Sequence, residues 1–137
     1  RYKDHKNKTV LVYGDPAGRA GEKHGHQSDY TQIEDELIAN GWKFKRKVKK
    51  KAPAIKDRQN AVRAKIKNTV GEISLYVNPS KAPYSDKGLS TVQKKKGSTF
   101  LEIETEYQHI TTAIGYFVDY EYQLTRNGIK QVNLTFA

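Results

Sequence analysis

Apolar and polar positions alternate along this chain in two distinct rhythms, and the switches between them predict its elements. Thr9-Val10-Leu11-Val12-Tyr13 is an unbroken β-branched and apolar run, which suits a strand buried on both faces. It stops at Gly14-Asp15-Pro16-Ala17-Gly18, where turn chemistry takes over, and a Gly- and His-rich loop follows. Ser28 and Asp29 then offer N-caps, Ile33, Leu37 and Ile38 recur at helical spacing, and Asn40-Gly41 supplies a stop. Trp42, Phe44, Arg46 and Val48 alternate with Lys43, Lys45, Lys47 and Lys49, a period of two that predicts a strand with one intensely basic face, closed by Pro53.

Beyond Pro53 the helical rhythm returns. Ile55, Ala61, Val62 and Ile66 form a stripe whose other faces hold Arg58, Arg63, Lys65 and Lys67, and Asn68 and Gly71 mark the end of this basic amphipathic helix. Glu72 to Val77 reads as a strand ending at Asn78-Pro79. A polar segment from Ser85 to Gln93 has helical character and leads into a mobile Lys94-Lys95-Lys96-Gly97 loop. Ile110, Ala113, Ile114 and Phe117 predict a core-facing helix, and Tyr120 to Phe136 a hairpin about Asn127-Gly128, with Val132, Leu134 and Phe136 alternating. Strands separated by helices in this order predict an α/β fold with a mostly parallel sheet, flanking helices and a C-terminal hairpin. Function in such sheets gathers at the carboxyl ends of the strands, where Asp15 and the basic run toward Lys51 both fall.

Composition bounds this picture. A chain of 137 residues, 36% of them hydrophobic, has material for one compact domain over residues 1–137 with a modest core. It carries neither a membrane-length apolar run nor the apolar centre of a signal peptide near Arg1. With no cysteine, any metal must be held by Asp, Glu, His or carbonyl oxygen. The absence of methionine and the polar, basic start give the chain the look of an excised piece of a longer protein.

Charge changes the picture through its placement. Between Trp42 and Lys67 twelve Lys and Arg face the single acid Asp57, an excess greater than the net +10 of the whole chain. Such density on one side is what attracts polyanions and gives salt-sensitive, sequence-independent binding to phosphates. Phe100 to Thr125 shows the opposite bias, with Glu102, Glu104, Glu106, Asp119 and Glu121 and no Lys or Arg, and predicts an acidic surface.

Among single residues Asp15 is the sharpest candidate. A carboxylate at the end of a buried strand, braced by Pro16 and Gly18, either presents oxygen to a hard divalent cation or satisfies turn amides, and its position allows both. Gly14, Gly18 and Gly21 with Lys23 match neither spacing of the nucleotide-binding glycine loops, so that chemistry is rejected. His24, His26 and Asp29 form a second conceivable metal group, although a loop of this composition is more often only solvated. His109 opens an apolar-striped helix as a ligand, a proton donor or a capping group. Trp42 and Phe44 have faces for stacking on bases, while their alternation assigns them to core packing.

Taken as an ensemble, Val10 to Gly18, Ser28-Asp29-Tyr30 opening a helix, Ala39-Asn40-Gly41-Trp42, the Asp57 to Val62 helix and His109-Ile110-Thr111-Thr112-Ala113-Ile114-Gly115-Tyr116 resemble the C-terminal nuclease region of tailed-phage terminase large subunits. The resemblance implies an RNase H-like layered fold and a metal-dependent endonuclease, using Mg or Mn, that cuts concatemeric phage DNA during packaging. It implies Asp15 and His109 as catalytic residues and Asp15 and Glu106 as metal ligands. The DNA backbone falls to Lys43, Lys45, Lys47, Lys49, Lys50, Lys51, Arg58, Arg63 and Lys67. Double-stranded DNA, the terminase small subunit and the portal protein are the implied partners, in the host cytoplasm.

Two departures accompany the resemblance. Thr112 stands where the family usually carries an Asp three residues after the His, and Asp119 is two turns further on, about 10 Å by helix rise. Glu104, Glu106 or His109 remain to compensate. Asp15 also matches the family's second acid rather than its first, so the first catalytic strand is expected outside this chain, and the isolated chain is expected to cut poorly. The competing expectations are a non-catalytic nucleic-acid-binding module and a protein-docking domain whose acidic C-terminal helix and hairpin engage another packaging component, a reading that disruption of binding by the Glu102 to Glu106 segment alone favours.

Overall fold

A computed structural model describes residues 2, 4–25, 27–98, 101–103, 105–125 and 128–129. The chain forms two compact units, Arg1–Ala52 and Pro53–Ala137. The fold is mixed α/β with a small parallel sheet and several helices.

In the first unit β1 (Thr9–Val12) pairs in parallel with β2 (Lys43–Arg46), in the register Thr9↔Lys43 to Val12↔Arg46. The ladder is extended by Lys43 N–H donating to the Lys8 carbonyl at 2.6 Å and Lys47 N–H to the Val12 carbonyl at 2.8 Å. Helix α1 (Asp29–Ala39) crosses between the strands and packs on β2. Its start is fixed by Ser28, whose buried hydroxyl accepts from the Thr31 amide at 3.2 Å. Its end is fixed by Gly41 at φ 76°, which allows Gly41 N–H to reach the Ile38 carbonyl and Trp42 N–H the Leu37 carbonyl, both at 2.9 Å. The chain therefore turns from helix into strand within three residues. The region expected to be a loop after β1 is instead a 3-10 helix, Pro16–His24, which Pro16 starts without an amide to satisfy.

The second unit is helical. Helices α2 (Ile55–Ile66) and α3 (Pro83–Thr91) both pack on α4 (Glu106–Glu121). Ala61, Val62 and Val118 form its buried centre, with Leu75, Leu89, Ile114, Phe117 and Tyr122 around it. The face of α4 turned inward differs from the expected stripe, because Ala113 is exposed while Val118 is only 1% exposed. Two helices on one helix bury a wider arc than a single stripe, and the approach runs over small residues. A methyl group on Gly88 would lie 2.9 Å from the Tyr107 carbonyl, and one on Gly115 would lie 2.6 Å from Cγ of Arg58.

Glu72 to Val77 is not a strand. It is an extended segment in which Ser74 and Leu75 N–H both donate to the Lys65 carbonyl at 2.8 Å, and Ile73 and Tyr76 are exposed. The turn before it matches expectation, with the Asn68 side chain accepting from the Val70 and Glu72 amides and Gly71 at φ 88°. The Lys94-to-Gly97 loop leads into an antiparallel bridge between Lys94 and Glu102. A short antiparallel pair, β3 (Leu124–Thr125) with β4 (Gly128–Ile129), lies in the segment expected to be a hairpin, while Asn127, Val132, Leu134 and Phe136 fall outside the described residues.

Candidate nucleic-acid interface and metal-ligating residues

The basic strand presents its charge as the alternation predicts only over Lys43–Arg46, where it ends, short of the Lys49 that the alternation reaches. Lys43 and Lys45 are exposed, whereas Phe44 and Arg46 turn toward the unit's interior and are half-buried. Arg46 is held there by Glu34, 3.3 Å from its guanidinium, and lies over the Tyr30 ring at 5.4 Å, so it belongs to the packing rather than to the solvated charge. The chain continues through half-buried Lys47 and Lys49 to exposed Lys50 and Lys51, and Val48 between them is buried. Arg19 ties the 3-10 helix to this strand end by donating to the Val48 carbonyl at 2.8 Å.

Arg58, Arg63 and Lys67 belong to the second unit, and they are not alike. Arg63 and Lys67 are exposed. Arg58 is only 7% exposed, its guanidinium 4.5 Å from the centre of the Tyr116 ring and its methylenes against Gly115. The sequence pattern places Arg58 on the outer face of its helix; the missing side chain at Gly115 opens the space that takes it inward instead.

Asp15 sits at the end of the short irregular link after β1 and caps the 3-10 helix, Oδ1 accepting from the Ala17 amide at 2.8 Å. Its carbonyl accepts from the Tyr30 hydroxyl at 2.7 Å and from the Gly18 amide at 3.1 Å. Tyr30 explains the two glycines of this turn. A methyl group on Gly14 would collide with the Tyr30 hydroxyl, and one on Gly18 would lie 2.8 Å from its ring. Burial, with the nearby Asp15 carboxylate adding to it, raises the Tyr30 phenol above its ordinary pKa, so the hydroxyl stays a donor. The Tyr30 contribution had no signal in motif spacing except the pair of glycines flanking Asp15-Pro16-Ala17. Tyr30→Phe is expected to destabilise the first unit by about 1 kcal/mol, the usual net value of such a bond. Urea unfolding of the variant beside the parent checks this.

Glu106 and His109 lie on α4 in the second unit, both exposed and three residues apart on one side of the helix. A side-chain hydrogen bond with Glu106, aided by its charge, raises the Tyr107 phenol above its ordinary value. Thr112, one turn beyond His109, accepts from the Gln108 amide at 2.8 Å, and the same amide reaches Glu102 at 3.3 Å. Gln59 on α2 donates to the other Glu102 oxygen at 2.8 Å. These groups border a cavity of about 170 Å³ lined by Arg58, Gln59, Arg63, Glu102 and Thr112. Glu102 therefore stands beside the Thr112 position, brought there by the bridge to Lys94, a placement that local sequence pattern does not contain.

The expected acidic surface is not formed by the end of α4. Asp119 is 2% and Glu121 4% exposed, Glu102 is half-buried, and among the described acids of that segment Glu106 alone is exposed. Polarity along the sequence does not reveal that these two acids are buried. Glu104 and His26 lie outside the described residues, and the side chain of His24 with them. Among the described residues no group of three or more His, Asp or Glu stands together as a metal cage, and no helix is long and apolar enough to cross a membrane. No protein-family model, curated protein or solved structure matches the chain.

Proposed function

We propose that this chain is a DNA-handling domain, in the setting its resemblance implies: the RNase H-like nuclease region of a viral packaging terminase, acting on double-stranded DNA beside the small subunit and the portal in the host cytoplasm. The observation that carries the DNA-handling part is the basic strand, with Lys43 and Lys45 exposed on a rigid parallel pair and Lys50 and Lys51 exposed just past its end. A strand fixes the spacing of its side chains, so these ammonium groups meet a phosphate backbone as a row and displace condensed counterions together. Arg63 and Lys67 add exposed charge on the second unit.

For cleavage, Asp15 offers a hard carboxylate on a turn held by Tyr30, which fits one ligand position of Mg or Mn. On the second unit, taken by itself, the resemblance assigns Glu106 as a metal ligand and His109 as a catalytic residue. A divalent cation held by Asp15 would supply charge for the scissile phosphate and a lowered pKa for attacking water. Asp15 orients what it holds because its own backbone is pinned at two points, the Tyr30 hydroxyl and the Gly18 amide.

A second reading, a module that holds DNA without cutting it, is favoured by two contacts. Asp15 Oδ1 already caps a helix, and Thr112, at the position of a family acid, is a hydroxyl bonded to Gln108. Incubating supercoiled plasmid with the chain and Mn or Mg separates the readings. Metal-dependent nicking that Asp15→Asn abolishes, with DNA binding retained, is the expected result for the nuclease. Salt-sensitive binding without nicking, unchanged by Asp15→Asn, leaves the holding module.

A further inference from the structure

We propose that the first unit carries a stacking cleft for an unpaired base of single-stranded nucleic acid, built around Trp42. The cleft has a volume of about 490 Å³ and is bordered by Tyr2, His5, Asn7, Val10, Leu37 and Trp42. Its volume falls in the range of about 300–1,000 Å³ typical of ligand clefts. Three of these side chains carry flat rings. His5 lies 6.3 Å from Trp42 with the planes inclined by 35°, and Tyr2 lies 6.5 Å from His5 edge to face, so among the described residues no parallel ring caps the half-buried indole.

The indole is held in position by its surroundings. The Trp42 amide closes the end of α1 by donating to the Leu37 carbonyl, and Leu37 itself borders the cleft. The next residue, Lys43, donates its amide to the Lys8 carbonyl, which brings the chain that carries His5 and Asn7 alongside. A ring fixed this way loses little freedom when a planar partner stacks on it.

Charge complementarity identifies the partner. Lys6 and Lys8 lie exposed on the segment between His5 and β1, and exposed Lys43 and Lys45 follow Trp42 on the paired strand. An apolar aromatic cleft flanked by a row of cations is the arrangement that grips single strands, with rings taking bases and cations taking phosphates. A duplex keeps its base faces stacked on one another and offers the cleft nothing but its edge. An apolar peptide fits the rings but has no use for the lysines. The chemistry therefore points to the frayed or cut end of a strand, and the inference rests on the DNA-handling reading above.

Trp42 is the single tryptophan of the chain, so its emission reports on this cleft alone. The 137-residue chain is titrated with a fluorescently labelled thymidine oligonucleotide, with an abasic strand of the same length and charge, and with a duplex. Strand anisotropy and tryptophan emission are read together. The expected result is quenching by the thymidine strand, binding of the abasic strand without quenching, and little quenching by the duplex. Trp42→Leu is expected to weaken the thymidine strand roughly ten-fold to hundred-fold, the usual effect of removing a stacking ring, and to leave duplex binding unchanged. Tyr2→Ala, at a side chain 60% exposed, weakens it in the same direction. Equal affinity for the thymidine and abasic strands, binding without quenching, or equal quenching by duplex overturns the cleft and leaves the DNA-handling reading standing. Failure of all three nucleic acids to bind overturns both.

Discussion

Replacing Lys43, Lys45, Lys50 and Lys51 together by Gln is expected to weaken duplex DNA binding roughly hundred-fold or more near 0.15 M salt, and to reduce the salt slope of log affinity by about 3 to 4. All four side chains are exposed, so the change removes charge without touching the packing of the first unit. The slope decides the interpretation. Each ammonium that neutralises a phosphate releases about 0.9 of a counterion, and the decrement counts the lost contacts directly. Arg46 provides the contrast, because its guanidinium is engaged by Glu34 and the Tyr30 and Phe44 rings. Arg46→Gln is expected to cost stability and leave the slope nearly unchanged. Anisotropy titrations with a labelled duplex at four salt concentrations measure both. A slope unaltered by the four substitutions would remove the basic strand from any account of DNA binding.

What could be read from the sequence followed the range of the interactions involved. Ser28, Gly41, Asn68 and Gly71 act within a few residues of themselves, and their caps and turns stand where the sequence puts them. The alternation of Lys43, Phe44, Lys45 and Arg46 likewise matches the observed faces of β2, since a strand side is decided by parity. Glu72 to Val77 has the composition of a strand, but a strand also needs a neighbour. Here the Lys65 carbonyl takes two of its amides and no ladder forms, a result that depends on where α2 ends. Arg58, Asp119 and Glu121 were misplaced for a related reason. Polarity assigns them to solvent; the missing side chain at Gly115 lets Arg58 turn inward, and the burial of Asp119 and Glu121 is likewise set by tertiary packing. The candidate site divides in the same way. Lys43 to Lys51 is a local feature and legible, whereas the meeting of Glu102, Gln59, Gln108 and Thr112 joins three separate stretches of chain.

Gly88→Val is expected to be the most damaging single substitution in the second unit, at about 2 kcal/mol. Helix α3 approaches α4 so closely at Gly88 that an added Cβ would lie 2.8 Å from Cγ2 of Thr111, 2.9 Å from the Tyr107 carbonyl and 3.2 Å from Cγ2 of Ile110. The carbonyl belongs to the backbone of α4 and cannot step aside without moving the helix. Overpacking of this kind costs roughly 1–3 kcal/mol, and two further methyl groups put valine at the upper end. Helix propensity returns only a few tenths of this, because a β-branched residue gains little over glycine inside a helix. For a unit of this size the loss lowers the melting temperature by roughly 8–16 °C. Gly115→Ala is the informative counterpart. Its new Cβ meets first the Cγ, Cδ and Nε atoms of the Arg58 side chain rather than backbone, and alanine regains about 1 kcal/mol of propensity. It should therefore cost little. The decisive comparison combines Gly88→Ala with Thr111→Ser, which removes the Cγ2 contact and keeps the hydroxyl that donates to the Gln108 carbonyl at 2.8 Å. Partial recovery of the melting temperature is expected, since the Tyr107 carbonyl still blocks the new methyl. Full recovery would mean that a movable side chain, and not the helix backbone, sets how closely α3 and α4 approach.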